Sequence, residues 1–130
     1  MATKHQHAVV WIDHREAHIL RFGASDVDRT VLRSESHDPH LHHKANTIGS
    51  GNAPIDTDLF GRVATALDGA QAILITGPAN AKLELKKFLG QSHPALAKQV
   101  LGVEAADHPT EGELVAHARA FFKTADRLQP

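Results

Sequence analysis

The chain has 130 residues, of which 42% are hydrophobic and 22% charged, and its net charge is −1 with neutral histidines. That length and balance suit one globular domain with a packed core, and they argue against a general nucleic-acid coat, which would be clearly basic. Cysteine is absent, which excludes disulfides, thiolate zinc sites and a cysteine nucleophile. The first seven residues, Met-Ala-Thr-Lys-His-Gln-His, carry no apolar stretch of the signal-peptide kind. No apolar run approaches the ~20 residues of a membrane span. The expected setting is therefore the cytoplasm, with no membrane partner and no expectation of DNA.

Ala8-Val9-Val10-Trp11-Ile12-Asp13 is a short apolar run rich in β-formers and predicts a buried strand. His14-Arg15-Glu16 suits a tight turn. Residues 17–22 alternate Ala17, Ile19 and Arg21 against His18, Leu20 and Phe22, as the return strand of a hairpin would. After a turn at Gly23, residues 27–36 predict a third strand with a polar face, placed at an edge. Asp56 is a good N-cap, and Leu59, Phe60, Val63, Ala64 and Leu67 form one helical stripe. Ala72-Ile73-Leu74-Ile75-Thr76 predicts a buried strand, and Gly77-Pro78-Ala79-Asn80 leads into a helix. Leu85, Phe88 and Leu89 would face inward on that helix, with Lys82, Lys86 and Lys87 outside. Residues 94–97 suit a short helical turn and residues 100–105 a further strand. Thr110-Glu111-Gly112-Glu113 is a capping box that opens a last helix, with Leu114, Val115, Ala118, Phe121 and Phe122 on one face.

The pattern breaks at residues 37–55. They show no period of 2 or 3.6, hold Pro39, Gly49, Gly51 and Pro54, and contain four of the chain's 11 histidines within seven residues, His37, His40, His42 and His43. A stretch of this kind exceeds the ~12–15 residues beyond which loops in compact domains tend to be functional or disordered. The element order is β-β-β-loop-α-β-α-β-α, a meander followed by alternating α and β, which implies a mixed sheet. It matches an α/β, ribonuclease H-like five-stranded sheet of order 3-2-1-4-5 with three helices, residues 1–130 forming one domain. Strands 1, 3, 4 and 5 would then end at one edge, where ligands of open α/β sheets bind. That edge would collect Asp13, His14, the start of the long loop, Thr76-Gly77 and Asp107-His108.

The segment Val9-Val10-Trp11-Ile12-Asp13-His14-Arg15-Glu16-Ala17-His18-Ile19 resembles the first hairpin of the middle domain of eukaryotic and archaeal class I release factors and Pelota. Ile73-Leu74-Ile75-Thr76-Gly77-Pro78-Ala79-Asn80-Ala81-Lys82 is similar to that domain's strand, Gly-Pro turn and Lys-bearing helix. Asp107-His108-Pro109-Thr110-Glu111-Gly112 is similar to the polar turn before its last helix, and closer still to short bacterial release-factor-like translational machinery proteins. In release factors the loop after strand 3 carries Gly-Gly-Gln, whose tip promotes peptidyl-tRNA hydrolysis. Here the equivalent stretch is Thr47-Ile48-Gly49-Ser50-Gly51-Asn52-Ala53, without Gly-Gly-Gln. Gly51-Asn52 keeps a glycine followed by a primary amide one methylene shorter.

The resemblance implies a translation-associated accessory module acting on the ribosome or tRNA through residues 37–55. His40, His42, His43, Lys44, Gly49, Gly51 and Asn52 are its candidate RNA-binding residues, and Gly51 and Asn52 its only catalytic candidates. The competing class is a hydrolase, either like a peptidyl-tRNA hydrolase or metal-dependent. His40, His42 and His43 could ligate zinc, nickel or copper, but no carboxylate at a fixed spacing joins them. A two-metal nuclease would draw on Asp13, Asp56, Asp58 and Asp107. Asp13 is better placed in the hairpin turn and Asp56 as a cap. Thr76-Gly77-Pro78 could meet an anion at a helix start, although it lacks the phosphate-loop pattern and suits a structural turn. Lys82, Lys86 and Lys87 suit a solvated helix face that could also touch RNA. No cofactor is expected, and homo-oligomerisation is left open.

Overall fold

A computed structural model describes residues 7–23, 26–34 and 57–128. The elements are β1 (His7–Ile12), β2 (Glu16–Phe22), β3 (Val27–Arg33), α1 (Thr57–Ala66), β4 (Ala72–Gly77), α2 (Ala81–Ser92), α3 (Pro94–Ala97), β5 (Val100–Ala105) and α4 (Glu111–Leu128). The five strands form one sheet in the order β3-β2-β1-β4-β5, the expected mixed α/β topology. The one-turn α3 is a fourth helix, at the residues that suited a short turn. β1 runs antiparallel to β2 and parallel to β4, β2 antiparallel to β3, and β4 parallel to β5. β1, β3, β4 and β5 therefore end at one edge.

The period-2 alternation divides the strands between two cores. Ala8, Val10, Ile12, Ala17, Ile19, Ile73 and Ile75 face α1 and α2, and meet Leu59, Phe60, Val63, Leu85 and Leu89. Val9, Trp11, Leu20, Phe22 and Leu74 face α4 and meet Leu114, Ala118 and Phe122. β4 is buried along its whole length because helices cover both of its faces. β3 is mostly exposed and lies at an outer position, as its polar face led us to expect.

Two details correct the expected packing of the last helix. The buried ring of the Phe pair is Phe122, at 2% exposure. Phe121 is half-buried and rests on β5, where a Cβ on Gly102 would come within 2.9 Å of its ring. Glycine at 102 is thus the cavity that the Phe121 ring fills. The N-terminus of α4 is closed as the capping box predicted: Glu113 N–H donates to Thr110 Oγ1 at 3.1 Å and Thr110 N–H to Glu113 Oε1 at 2.8 Å.

Candidate functional site

The strand ends at the C-terminal edge are tied together by backbone-directed bonds. Asp13 Oδ1 accepts the amides of Arg15 (2.8 Å) and Glu16 (2.9 Å), so its carboxylate shapes the β1–β2 turn. His14 and Arg15 are left exposed at the tip. Thr76 Oγ1 donates to Val10 O at 2.9 Å, which satisfies the only buried polar side chain among the described residues. Gly77 packs against the end of β1 so closely that a Cβ there would lie 2.2 Å from Ile12 O. Thr76-Gly77 is thus a structural junction. Ala106 N–H donates to Gly77 O at 3.0 Å, and Trp11 Nε1–H is shared between Ala106 O (3.2 Å) and Asp107 O (2.9 Å). A side chain of β1 therefore holds the segment that leads into α4.

The same edge brackets residues 37–55. Arg62 on α1 donates to Arg33 O at 2.7 Å, and Arg21 donates to the carbonyls of Ala66 (3.1 Å) and Asp68 (2.8 Å). Arg33 ends β3 at the C-terminal edge, whereas Arg21 lies near the opposite edge. α1 therefore runs away from the edge, and its start and the end of β3 are neighbours. His40, His42, His43, Lys44, Gly49, Gly51 and Asn52 lie outside the described residues, as does Asp56. The structure describes the frame that holds this segment and not the segment itself.

Beside that frame is a groove of about 300 Å³. It exists because α4 covers β1, β4 and the Leu20–Phe22 end of β2, but leaves the Glu16–His18 end of β2 and the same face of β3 open. Trp11, His18 and Leu20 form its floor; His108, Pro109, Glu111 and Leu114 form one wall. The His18 ring meets Trp11 edge-on at 5.7 Å and the His108 ring meets it at 5.2 Å, so the indole lies between two imidazoles. Glu16 joins His18 Nε2 (3.0 Å) to Arg33 (2.6 Å), and Arg29 meets Glu111 at 2.7 Å. The charges at the groove mouth are thus largely compensated in pairs. Rings and hydrogen-bonding groups of this kind can hold a planar or polar ligand, but no serine, cysteine or lysine lines the groove as a nucleophile.

A two-metal nuclease is not assembled by the described residues. Asp13 is engaged in its turn, Asp58 pairs with Arg62 at 3.2 Å, and Asp107 meets His108 at 3.1 Å. Among the described residues no three His, Asp or Glu side chains converge as metal ligands. Nor, among them, is any helix long and apolar enough to cross a membrane. Sequence reasoning missed the pairing of His18 with His108 around Trp11. The alternation of β2 does put His18 on the face of Leu20. Nothing local in the sequence brings His108, 90 residues on, to the same indole.

No family model and no curated protein matches the chain. Solved structures do. Pelota from Archaeoglobus fulgidus superposes with a TM-score of 0.62 at 16% identity, over 91% of this chain and 32% of that one. The archaeal translation termination factor aRF1 gives 0.55 at 13% identity, over 94% of this chain and 38% of that one. Dom34 from S. cerevisiae, a translation termination-like factor involved in RNA quality control pathways and interacting with Hbs1, gives 0.55 at 9% identity, over 85% of this chain and 31% of that one. This chain thus spans about a third of the length of those structures. At these identities the likeness is one of fold, and the fold of this chain is similar to that of Pelota and release-factor structures.

Proposed function

We propose that this protein is a translation-associated accessory module that acts on the ribosome or tRNA through residues 37–55. The observation that supports this reading is the likeness in fold to Pelota, aRF1 and Dom34, together with the position of the long aperiodic segment between β3 and α1. In the release-factor resemblance that position belongs to the working loop. Gly51-Asn52 would be its tip, and His40, His42, His43 and Lys44 its contacts to phosphates and bases. The missing Gly-Gly-Gln motif favours an accessory role over peptide release.

Co-sedimentation with purified ribosomes tests this directly. Binding to phosphate favours protonated imidazole, whose unperturbed pKa is ~6.5, so affinity should rise as pH falls from about 7.5 to 6. The triple variant H40A/H42A/H43A should lose that dependence. A segment that binds metal instead would gain affinity for it as pH rises, since its ligands must be deprotonated. Ribosome binding that is unchanged by the triple variant at every pH would sink the assignment of residues 37–55 as the working surface.

A further inference from the structure

Arginine and lysine are used differently in this molecule. Arg29, Arg33 and Arg62 each meet a carboxylate, on Glu111, Glu16 and Asp58. Arg21 donates to the carbonyls at the end of α1, and Arg119 lies 4.9 Å over the Phe22 ring while donating to Gly23 O. The lysines of α2 and of the turn after α3 are not neutralised in this way. Lys86, Lys87 and Lys98 are exposed, and among the described residues none of them is in an ion pair. Lys82 donates to Ala79 O at the helix start.

The imbalance is regional. Residues 78–99 hold Lys82, Lys86, Lys87 and Lys98 against the single Glu84, a net +3. The whole chain is −1, so the remaining residues sum to −4. A chain that is slightly acidic overall thus concentrates positive charge on α2, where three lysines stand against Glu84, and on Lys98 in the turn after α3. The outer side of α2 is rigidly directed, because Ala81, Leu85 and Leu89 anchor its inner side in the core. Lys82 and Lys86 are four residues apart, a rise of ~6 Å on one side of the helix.

We propose that the outer face of α2, with the turn after α3, is a docking surface for an RNA phosphate backbone. It is built from residues other than 37–55 and rests on the proposed function only in the choice of RNA as the polyanion. The chemistry of the face points to backbone and not to bases. Lysine ammonium groups are flexible point charges suited to a line of phosphates. The aromatic side chain of α2, Phe88, is turned to Phe60, with ring centroids 5.7 Å apart, and the exposed His93 after α2 packs on Phe88 at 5.6 Å, so the lysine-bearing side of α2 itself carries no ring for stacking. Leu83, at 53% exposure, is the one large exposed apolar residue of α2, too little for insertion into a lipid interface.

The test is a salt titration of binding to fluorescein-labelled oligo-uridine at about pH 8, where unperturbed imidazoles are neutral. The full-length chain should bind with a negative slope of log K against log salt. K86Q/K87Q/K98Q should flatten that slope by about 2, at ~0.7 per single-strand phosphate, which is roughly hundredfold weaker binding at about 0.1 M salt. Its thermal midpoint should match that of the parent chain, since the three side chains are exposed. H40A/H42A/H43A should leave the slope at this pH unchanged, so failure of either assignment is visible separately. The proposal is overturned if the parent chain shows no salt-dependent RNA binding. It is equally overturned if the lysine variant binds like the parent, or if poly-glutamate binds the parent and loses affinity with the lysine variant, which would mark the face as a site for acidic protein.

Discussion

The two faces of the sheet are finished in different ways. On one, α1 and α2 lie side by side over Ala8, Val10, Ile12, Ile19, Ile73 and Ile75, and the contact is aliphatic apart from Phe60 and Phe88. On the other, α4 alone covers β1, β4 and the Leu20–Phe22 end of β2, and the layer is aromatic at its margins, with His7 and Phe22 against Phe122, and Trp11 between His18 and His108. Two helices seal a five-stranded sheet; one cannot. The uncovered part is the Glu16–His18 end of β2 with β3 beside it, and there the sequence supplies side chains that tolerate water at one end, imidazoles and Arg–Glu pairs. The difference separates a face that stores stability from one that leaves a groove.

The largest test of that contrast is on the sealed side. Leu85→Ala removes a side chain with no exposure and should cost about 2–5 kcal/mol in denaturant unfolding, while leaving the groove's histidine resonances in place. Phe122→Ala should cost about 3–5 kcal/mol and should also disturb His7 and Phe22, because that ring is the main cover of the open side. A Phe122→Ala cost well below that of Phe121→Ala would contradict the assignment of the buried ring.

Effects at the junction should be smaller. In Gly77→Ala the new methyl would meet Ile12 O at 2.2 Å, so β1 and β4 must part locally, with an expected loss of about 1–3 kcal/mol. Trp11→Phe keeps most of the ring burial but leaves the carbonyls of Ala106 and Asp107 without their donor. A loss of about 1–2 kcal/mol is expected, with faster amide exchange confined to the segment entering α4. Thr110→Ala, which opens the capping box, should cost about 1 kcal/mol. Least affected should be Arg33→Gln. That side chain is 73% exposed, and the loss should be at most about 1 kcal/mol and smaller still in high salt. If Arg33→Gln proved as damaging as Leu85→Ala, the division between a sealed and an open face would fail.

Much of this was legible in the residues. The alternation of residues 17–22 named both faces of the return strand, because a strand's side chains must alternate whatever packs on them, whereas the apolar run of residues 8–12 gave only a buried strand. The stripe Leu59, Phe60, Val63 fixed the inward side of α1, Leu85 and Leu89 that of α2, and Thr110 with Glu113 marked the start of α4. Asp13 was placed in a turn because a short carboxylate can accept the next amides from within its own segment. These are local consequences of backbone geometry and need no partner.

What tertiary structure alone decided is which helix covers which strand and what remains uncovered. The choice of Phe122 over Phe121 as the buried ring depends on Gly102, 20 residues away, offering space on β5. Gly77 is a structural junction only because Ile12 O lies against it. The groove around Trp11 needs His18 and His108 to converge from distant positions, and it needs α4 to cover the Phe22 end of β2 while leaving the Glu16–His18 end open. The sequence carries each of those residues, but their proximity arises from the sheet order and from the direction in which α4 crosses it. Those are set by the packing of the whole chain, and no local periodicity encodes them.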